Sequence, residues 1–196
     1  MANPVDRSID KYIKTIYDIG MLELLVYIFL LFMILLVFGT AAYAGMRASP
    51  WVPVFKRDIE RVLKLADVKD NDMVYDLGSG DGRIVIAIAH NSQASVVGFE
   101  ISFLPYLWSK LKILFLGLPQ RVEVRFGDFL SRDLSQASVI FCFLTPMAMK
   151  KLSPKFRKEL KKGTRIISYS FKIPDWEPTM IDRLDKRMSI YKYVVD

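Results

Sequence analysis

The chain has one cysteine and one histidine in 196 residues. A lone Cys142 excludes an internal disulfide framework and a cysteine-based metal site. It lies in an apolar run and reads as a small core residue. His90, alone at the end of a helical pattern, has no second ligand beside it, so no metal is expected. Internal repeats and low-complexity tracts are missing too. Acid is scarce relative to base: 21 Asp and Glu stand against 28 Lys and Arg, a net charge of +7. The first fifty residues hold four of each sign, so the whole excess falls on 51–196. A basic domain implies an anionic neighbour, whether lipid headgroups, nucleic acid or acidic protein. The length admits one domain and an appendage.

Charge is absent altogether from Leu24 to Ala44, a run of 21 residues. About 20 apolar residues cross the ~30 Å hydrocarbon core, so residues 21–45 are predicted to form one transmembrane helix. A cleaved signal peptide is the rival, because Ala42-Tyr43-Ala44 resembles a cleavage site. The run exceeds the ~7–15 residues of a signal core and follows a long acid-containing segment, which favours a retained anchor. Residues 1–20 precede it. There Val5, Ile9, Tyr12, Ile13, Ile16 and Ile19 recur at helical spacing between charged residues, suiting a helix that lies flat on a membrane or packs on the domain. Arg7, Lys11 and Lys14 flank the span on one side. Arg47, Lys56, Arg57, Arg61 and Lys64 flank it on the other, placing the larger part on the cytoplasmic side. Residues 46–72 read as a linker and a pre-domain helix. Ser49-Pro50-Trp51-Val52-Pro53 is stiff, and Ile59, Val62, Leu63 and Ala66 share one helical face.

From Met73 the rhythm becomes strand–helix–strand. Residues 73–196 are predicted to form a parallel sheet with helices on both faces. Strands are expected at 73–77, 95–99, 122–126, 138–143 and 164–171. An antiparallel pair near Met180-Ile181 and 190–194 closes the chain. The organising stretch is Asp76-Leu77-Gly78-Ser79-Gly80-Asp81-Gly82-Arg83, which joins a buried strand to a helix. Its glycines permit backbone angles closed to other residues and let a ligand approach the main chain. A dinucleotide fold uses G-x-G-x-x-G and offers its helix end to a pyrophosphate. Here the spacing is G-x-G-x-G, with Asp76 before it and Asp81 within it. Two carboxylates repel a pyrophosphate but suit a ligand carrying an ammonium or sulfonium group.

Two further acids follow at strand ends, where open α/β sheets bind ligands. Glu100 stands 24 residues after Asp76 and suits a pair of ribose hydroxyls. Asp128, in Phe126-Gly127-Asp128-Phe129, is a third acid at a third strand end. After the fourth strand comes Phe143-Leu144-Thr145-Pro146. It has neither an acid nor an amide, so no general base is assigned, and Thr145 and Pro146 are candidates for lining an acceptor site. The helix from Pro146 holds Lys150, Lys151, Lys155, Arg157, Lys158, Lys161 and Lys162. It reads first as a solvated face, next as a membrane-facing one, and only third as a nucleic-acid surface.

The Asp-Leu-Gly-Ser-Gly-Asp-Gly-Arg string resembles motif I of class I, seven-strand methyltransferases, whose methyl donor is S-adenosylmethionine. The apolar span, Pro-Trp-Val-Pro-Val-Phe, the G-F-E at Glu100 and the late Trp-Glu-Pro are similar to one narrower family. These are the membrane-anchored lysine methyltransferases of the ATP synthase c subunit and the adenine nucleotide translocase, with their prokaryotic relatives. The resemblance implies a Rossmann-like seven-strand sheet preceded by one transmembrane helix, and lysine methylation of a membrane protein. It implies cofactor contacts from Asp76, Gly78, Ser79, Gly80, Gly82, Glu100, Asp128 and Phe129, with Pro53 bordering the same site. The alternatives are methylation of a membrane small molecule such as a lipid amine or quinone precursor, a cofactor-binding sensor without transfer, and a nucleic-acid methyltransferase.

Overall fold

The computed structural model describes residues 4–47 and 51–196. It divides into two units, Met1–Gly39 and Thr40–Asp196. Helix α1, Pro4–Arg47, runs through the first and into the second. The amphipathic segment, from residue 4 on, and the span 21–45, expected as separate pieces, are one unbroken helix. The physical reason is the absence of a proline between them. Gly20 alone costs about 1 kcal/mol, which flanking helical hydrogen bonds absorb. The side chains of Val5, Ile9, Tyr12, Ile13 and Ile16 and the Ser49-Pro50 start of the linker lie outside the described residues. Tyr17–Met46 is 30 residues long and apolar enough to cross a membrane. Most of its large side chains, Leu24 to Leu31 among them, are exposed.

The second unit is built on a seven-stranded sheet in the order β3-β2-β1-β4-β5-β7-β6. The strands are β1 Met73–Leu77, β2 Ser95–Glu100, β3 Val122–Phe126, β4 Val139–Cys142, β5 Arg165–Tyr169, β6 Met180–Asp182 and β7 Ile190–Val194. The first five are parallel; β7 is antiparallel to both β5 and β6. The helices are α2 Ile59–Ala66, α3 Arg83–Asn91, α4 Phe103–Phe115 and α5 Pro146–Glu159. Near-continuous apolar strands such as Val139–Cys142 are buried on both faces, as a helix-covered parallel sheet requires.

Two apolar clusters fill the two faces. One contains Val54, Val62, Leu65 and Ala66 together with Val74 and Val85. Val54 and the α2 residues of the segment 46–72, expected to precede the domain, are therefore part of its core. They share one sheet face with α3, α2 lying over β5 and α3 over β2. Cys142 is buried, as its apolar setting implied.

Candidate active site

β1 and β4 lie side by side at the middle of the sheet, and chain order reverses there. Such a switch point opens a crevice beyond the strand carboxyl ends. A cleft lies in that place, walled by Trp51, Pro53, Asp76, Gly78, Ser79, Gly80, Glu100, Asp128, Phe129 and Phe143, among others. The geometry brings together nearly all the expected residues. Gly82 is the exception among the glycines. It caps α3 in a left-handed conformation and does not line the cleft.

The glycine turn is more closed than its sequence implies. Gly78 and Ser79 both donate their amides to the Phe99 carbonyl at 2.9 Å. Gly80 donates to Glu100 Oε2 at 2.7 Å. Three successive N–H groups are thus spent inside the protein, and none remains to cradle a phosphate. Gly80 sits at φ +53°, and a Cβ there would lie 2.7 Å from the Trp51 indole nitrogen. The Pro-Trp segment therefore packs directly on the turn. Arg83 reinforces it, donating from Nη1 to the Val54 carbonyl at 2.6 Å.

The acids differ in state. Asp76 is 2% exposed. Burial, then the negative charges of Glu100 and Asp81, push its carboxyl well above the ordinary range. Asp81 behaves otherwise than expected. It pairs with Arg83 at 2.9 Å and Lys112 at 3.0 Å. Burial opposes its ionisation, but those hydrogen bonds and charges more than offset this and hold it below its usual value. It is a brace for the turn rather than a second free negative charge. Glu100 Oε1 accepts from the amides of Ile101 and Ser102 at 2.9 and 2.7 Å. With Gly80 on Oε2, three of about four acceptor positions are filled. That leaves room for one hydroxyl where two were expected. Asp128 caps a short 3₁₀ turn through Leu130, and Phe129 beside it is buried.

Thr145 and Pro146 do not line the cleft. Thr145 caps α5, its hydroxyl accepting from Ala148 at 3.3 Å, and Pro146 opens the helix. The wall there is Phe141, Phe143 and Leu144. Sequence reasoning missed Arg83 and the role of Trp51. A basic residue two places after Asp81, and a tryptophan between prolines, were the available signals.

Whether the site suits an adenosyl sulfonium can be judged from its polar atoms. The buried Ser79 hydroxyl has no hydrogen-bond partner, and Asp76 has two negative neighbours at its side. A cation with hydroxyl groups answers both needs, and the residues fit it. The sheet order and the acid-lipped cleft define a class I methyltransferase. Residues 76–180 match the model of the ANTKMT methyltransferase domain. A protein-lysine N-methyltransferase of Saccharolobus islandicus is 35% identical over 150 residues, covering 74% of this chain and 93% of that one. The human lysine N-methyltransferase for the c subunit of ATP synthase is 34% identical over 131 residues. That match covers 66% of this chain, which spans about half, 54%, of the human protein's length. A crystal structure of an RNA methyltransferase from Salinibacter ruber, with S-adenosyl-L-homocysteine, superposes with a TM-score of 0.70 at 36% identity. It covers 74% of this chain and 94% of that one. The chain belongs to the ANTKMT methyltransferase family, and its methyl donor is S-adenosylmethionine.

Proposed function

We propose that the chain is a membrane-anchored protein-lysine N-methyltransferase, with its catalytic domain on the cytoplasmic side and a membrane protein as substrate. The observation that carries the cofactor half is the cluster of strand-end carboxylates around one cleft, with Asp76 held uncompensated. Asp76 faces the positive end of the donor. Glu100 accepts from a ribose hydroxyl, Asp128 from the adenine amine, and Phe129 lies against the ring. Ser79, Gly78 and Gly80 supply a close backbone wall, and Pro53 closes the rim.

Bound S-adenosylmethionine supplies an electrophilic methyl group on sulfur. The protein must bring a neutral amine into line with it, about 3 Å away. A lysine amine has an ordinary pKa near 10.4 and must first shed a proton. Phe141, Phe143 and Leu144 are apolar, so an ammonium entering among them is desolvated and its pKa falls. Asp76, Glu100 and Asp128 would hold the donor as its methyl group goes to that nitrogen, the donor departing as a neutral thioether and the lysine proton having gone to solvent. No side-chain base is needed for that step.

Lysine is favoured over RNA by the named relatives in Saccharolobus and human, although the Salinibacter protein is named an RNA methyltransferase. The anchor is supported by the apolar helix Tyr17–Met46. The test is to feed methyl-labelled donor to membranes holding the full chain. Label in a membrane protein, recovered as methyl-lysine, is expected. Label confined to RNA, lipid or quinone would overturn the substrate assignment.

A further inference from the structure

Helix α4 carries its apolar stripe on the outside. Leu104, Leu107, Trp108, Leu114 and Phe115 recur at three, four and seven along one face, and all are exposed, Phe115 by 83%. The inner face is made of Ser109, Tyr106 and Ile113, which pack on the domain. A soluble helix shows the reverse arrangement. The helix has no acidic residue, and Lys110 is exposed beside the stripe. Phe126, on edge strand β3, extends the apolar surface through ring contacts with Phe103 and Tyr106.

The first residue of α4 fixes where this stripe lies. The Phe103 amide donates to Thr40 Oγ1 at 3.0 Å. Thr40 belongs to the apolar stretch that ends at Met46. Six residues separate the two, about 9 Å along a helix. The start of α4 is therefore tied to a residue well inside the apolar stretch. We propose that the outer face of α4 is a second membrane contact, seated among the lipids at the bilayer interface. This rests on the anchored reading given above. Leucines and phenylalanine enter the acyl boundary, Trp108 sits at headgroup level, and Lys110 reaches anionic headgroups. The tie to Thr40 and the acid-free helix favour lipid over a second copy or a soluble partner. Ile101 and Ser102, just before α4, line the cleft. Seating α4 thus holds the cleft at a set height above the bilayer, within reach of a lysine just outside it.

The test uses the full chain in phosphatidylcholine vesicles, with and without phosphatidylglycerol. Environment-sensitive labels go on Leu107→Cys, Phe115→Cys, Leu30→Cys and, as a surface control, Lys186→Cys. The native Cys142 is buried. Labels at 107 and 115 are expected to be quenched by spin-labelled lipid and shielded from aqueous iodide, unlike the label at 186. If they behave like the label at 186 while that at 30 is lipid-quenched, α4 docking is rejected and the anchor stands. A water-exposed label at 30 rejects the anchor itself. Shielding from iodide without lipid quenching, rising with protein concentration, overturns the proposal in favour of a second copy. As an activity readout, Leu107→Glu with Phe115→Glu should leave donor affinity unchanged. It should lower methylation of a bilayer-embedded lysine relative to a soluble lysine peptide by about tenfold, the equivalent of 1.4 kcal/mol of lost seating. Equal rates on both substrates, as in the parent, would reject it.

Discussion

Two aspartates are buried in the catalytic unit, and they are opposites. Asp58 is fully buried and Asp76 is 2% exposed. Asp58 accepts from Arg61 at 2.8 Å and from the Tyr169 hydroxyl at 2.8 Å, with Arg187 at 3.4 Å. Burial opposes its ionisation, but these hydrogen bonds and the two guanidinium charges outweigh it, and its carboxyl is held below the ordinary value. Asp76 meets the same burial with Glu100 and Asp81 as neighbours and moves the other way. A buried charge that its surroundings balance is part of the scaffold. One that they leave unbalanced is waiting for something to bind.

The comparison breaks first at Asp58. Asp58→Asn should destabilise the domain by about 3 kcal/mol, since it removes the buried carboxylate that accepts from Arg61 and Tyr169, although Arg61 keeps its pair with Asp182. Urea midpoints in detergent would show it, and a loss below about 1 kcal/mol would refute the assigned role. Its ion pairs are present above the unfolded carboxylate value near 3.9. They are lost as pH falls through the lowered folded value. Donor affinity of whatever remains folded should be unaffected.

Asp76→Asn should do the converse. Stability at neutral pH holds or rises, because the raised folded value means that Asp76 favours the fold at low pH and loses that contribution as pH climbs through it. Donor affinity should fall about 10- to 150-fold, the equivalent of about 1.5–3 kcal/mol for a lost charged partner. Binding a cation also expels the proton that the free site retains. Calorimetry in two buffers of different ionisation heat should therefore report proton release, and the variant should abolish it. An Asp76→Asn protein with parental affinity would end the cofactor assignment.

A smaller break lies at the turn. In Gly80→Ala the new methyl meets Trp51 and the backbone is left-handed, costing about 1–2 kcal/mol. Donor affinity should weaken with it. Adding Trp51→Ala should recover the steric part but not the backbone part. Full recovery would mean that only the indole matters.

What the sequence makes legible follows the same divide. The strands from Met73 to Tyr169, the glycine turn and the acids at strand ends are local patterns, and local patterns survive folding. The Asp58 network is not local: Tyr169 is 111 residues away and Arg187 is 129. In the sequence Asp58 is only an acid before a short helix. Asp81 misleads for a related reason. Its partner Lys112 lies 31 residues on, so a charge that looks free in the sequence is already paired in the fold. The long α1 reads as two pieces because its polarity changes along the way, although helix termination needs a proline or a cap rather than a change of polarity.

The smallest expected effect concerns Thr145. As a candidate wall of the acceptor site it should affect catalysis. As the cap of α5 it should affect stability alone. The Ala148 amide donates to its hydroxyl, while the nearby cleft wall is formed by Phe143 and Leu144. Thr145→Ala should therefore cost about 1 kcal/mol of stability, with donor affinity and the KM for a lysine substrate unchanged. Thr145→Ser keeps the capping oxygen and should restore most of the loss. A raised KM in the alanine variant at parental stability would move Thr145 from scaffold to site, and would place the acceptor nitrogen beside the α5 N-terminus rather than against Phe143.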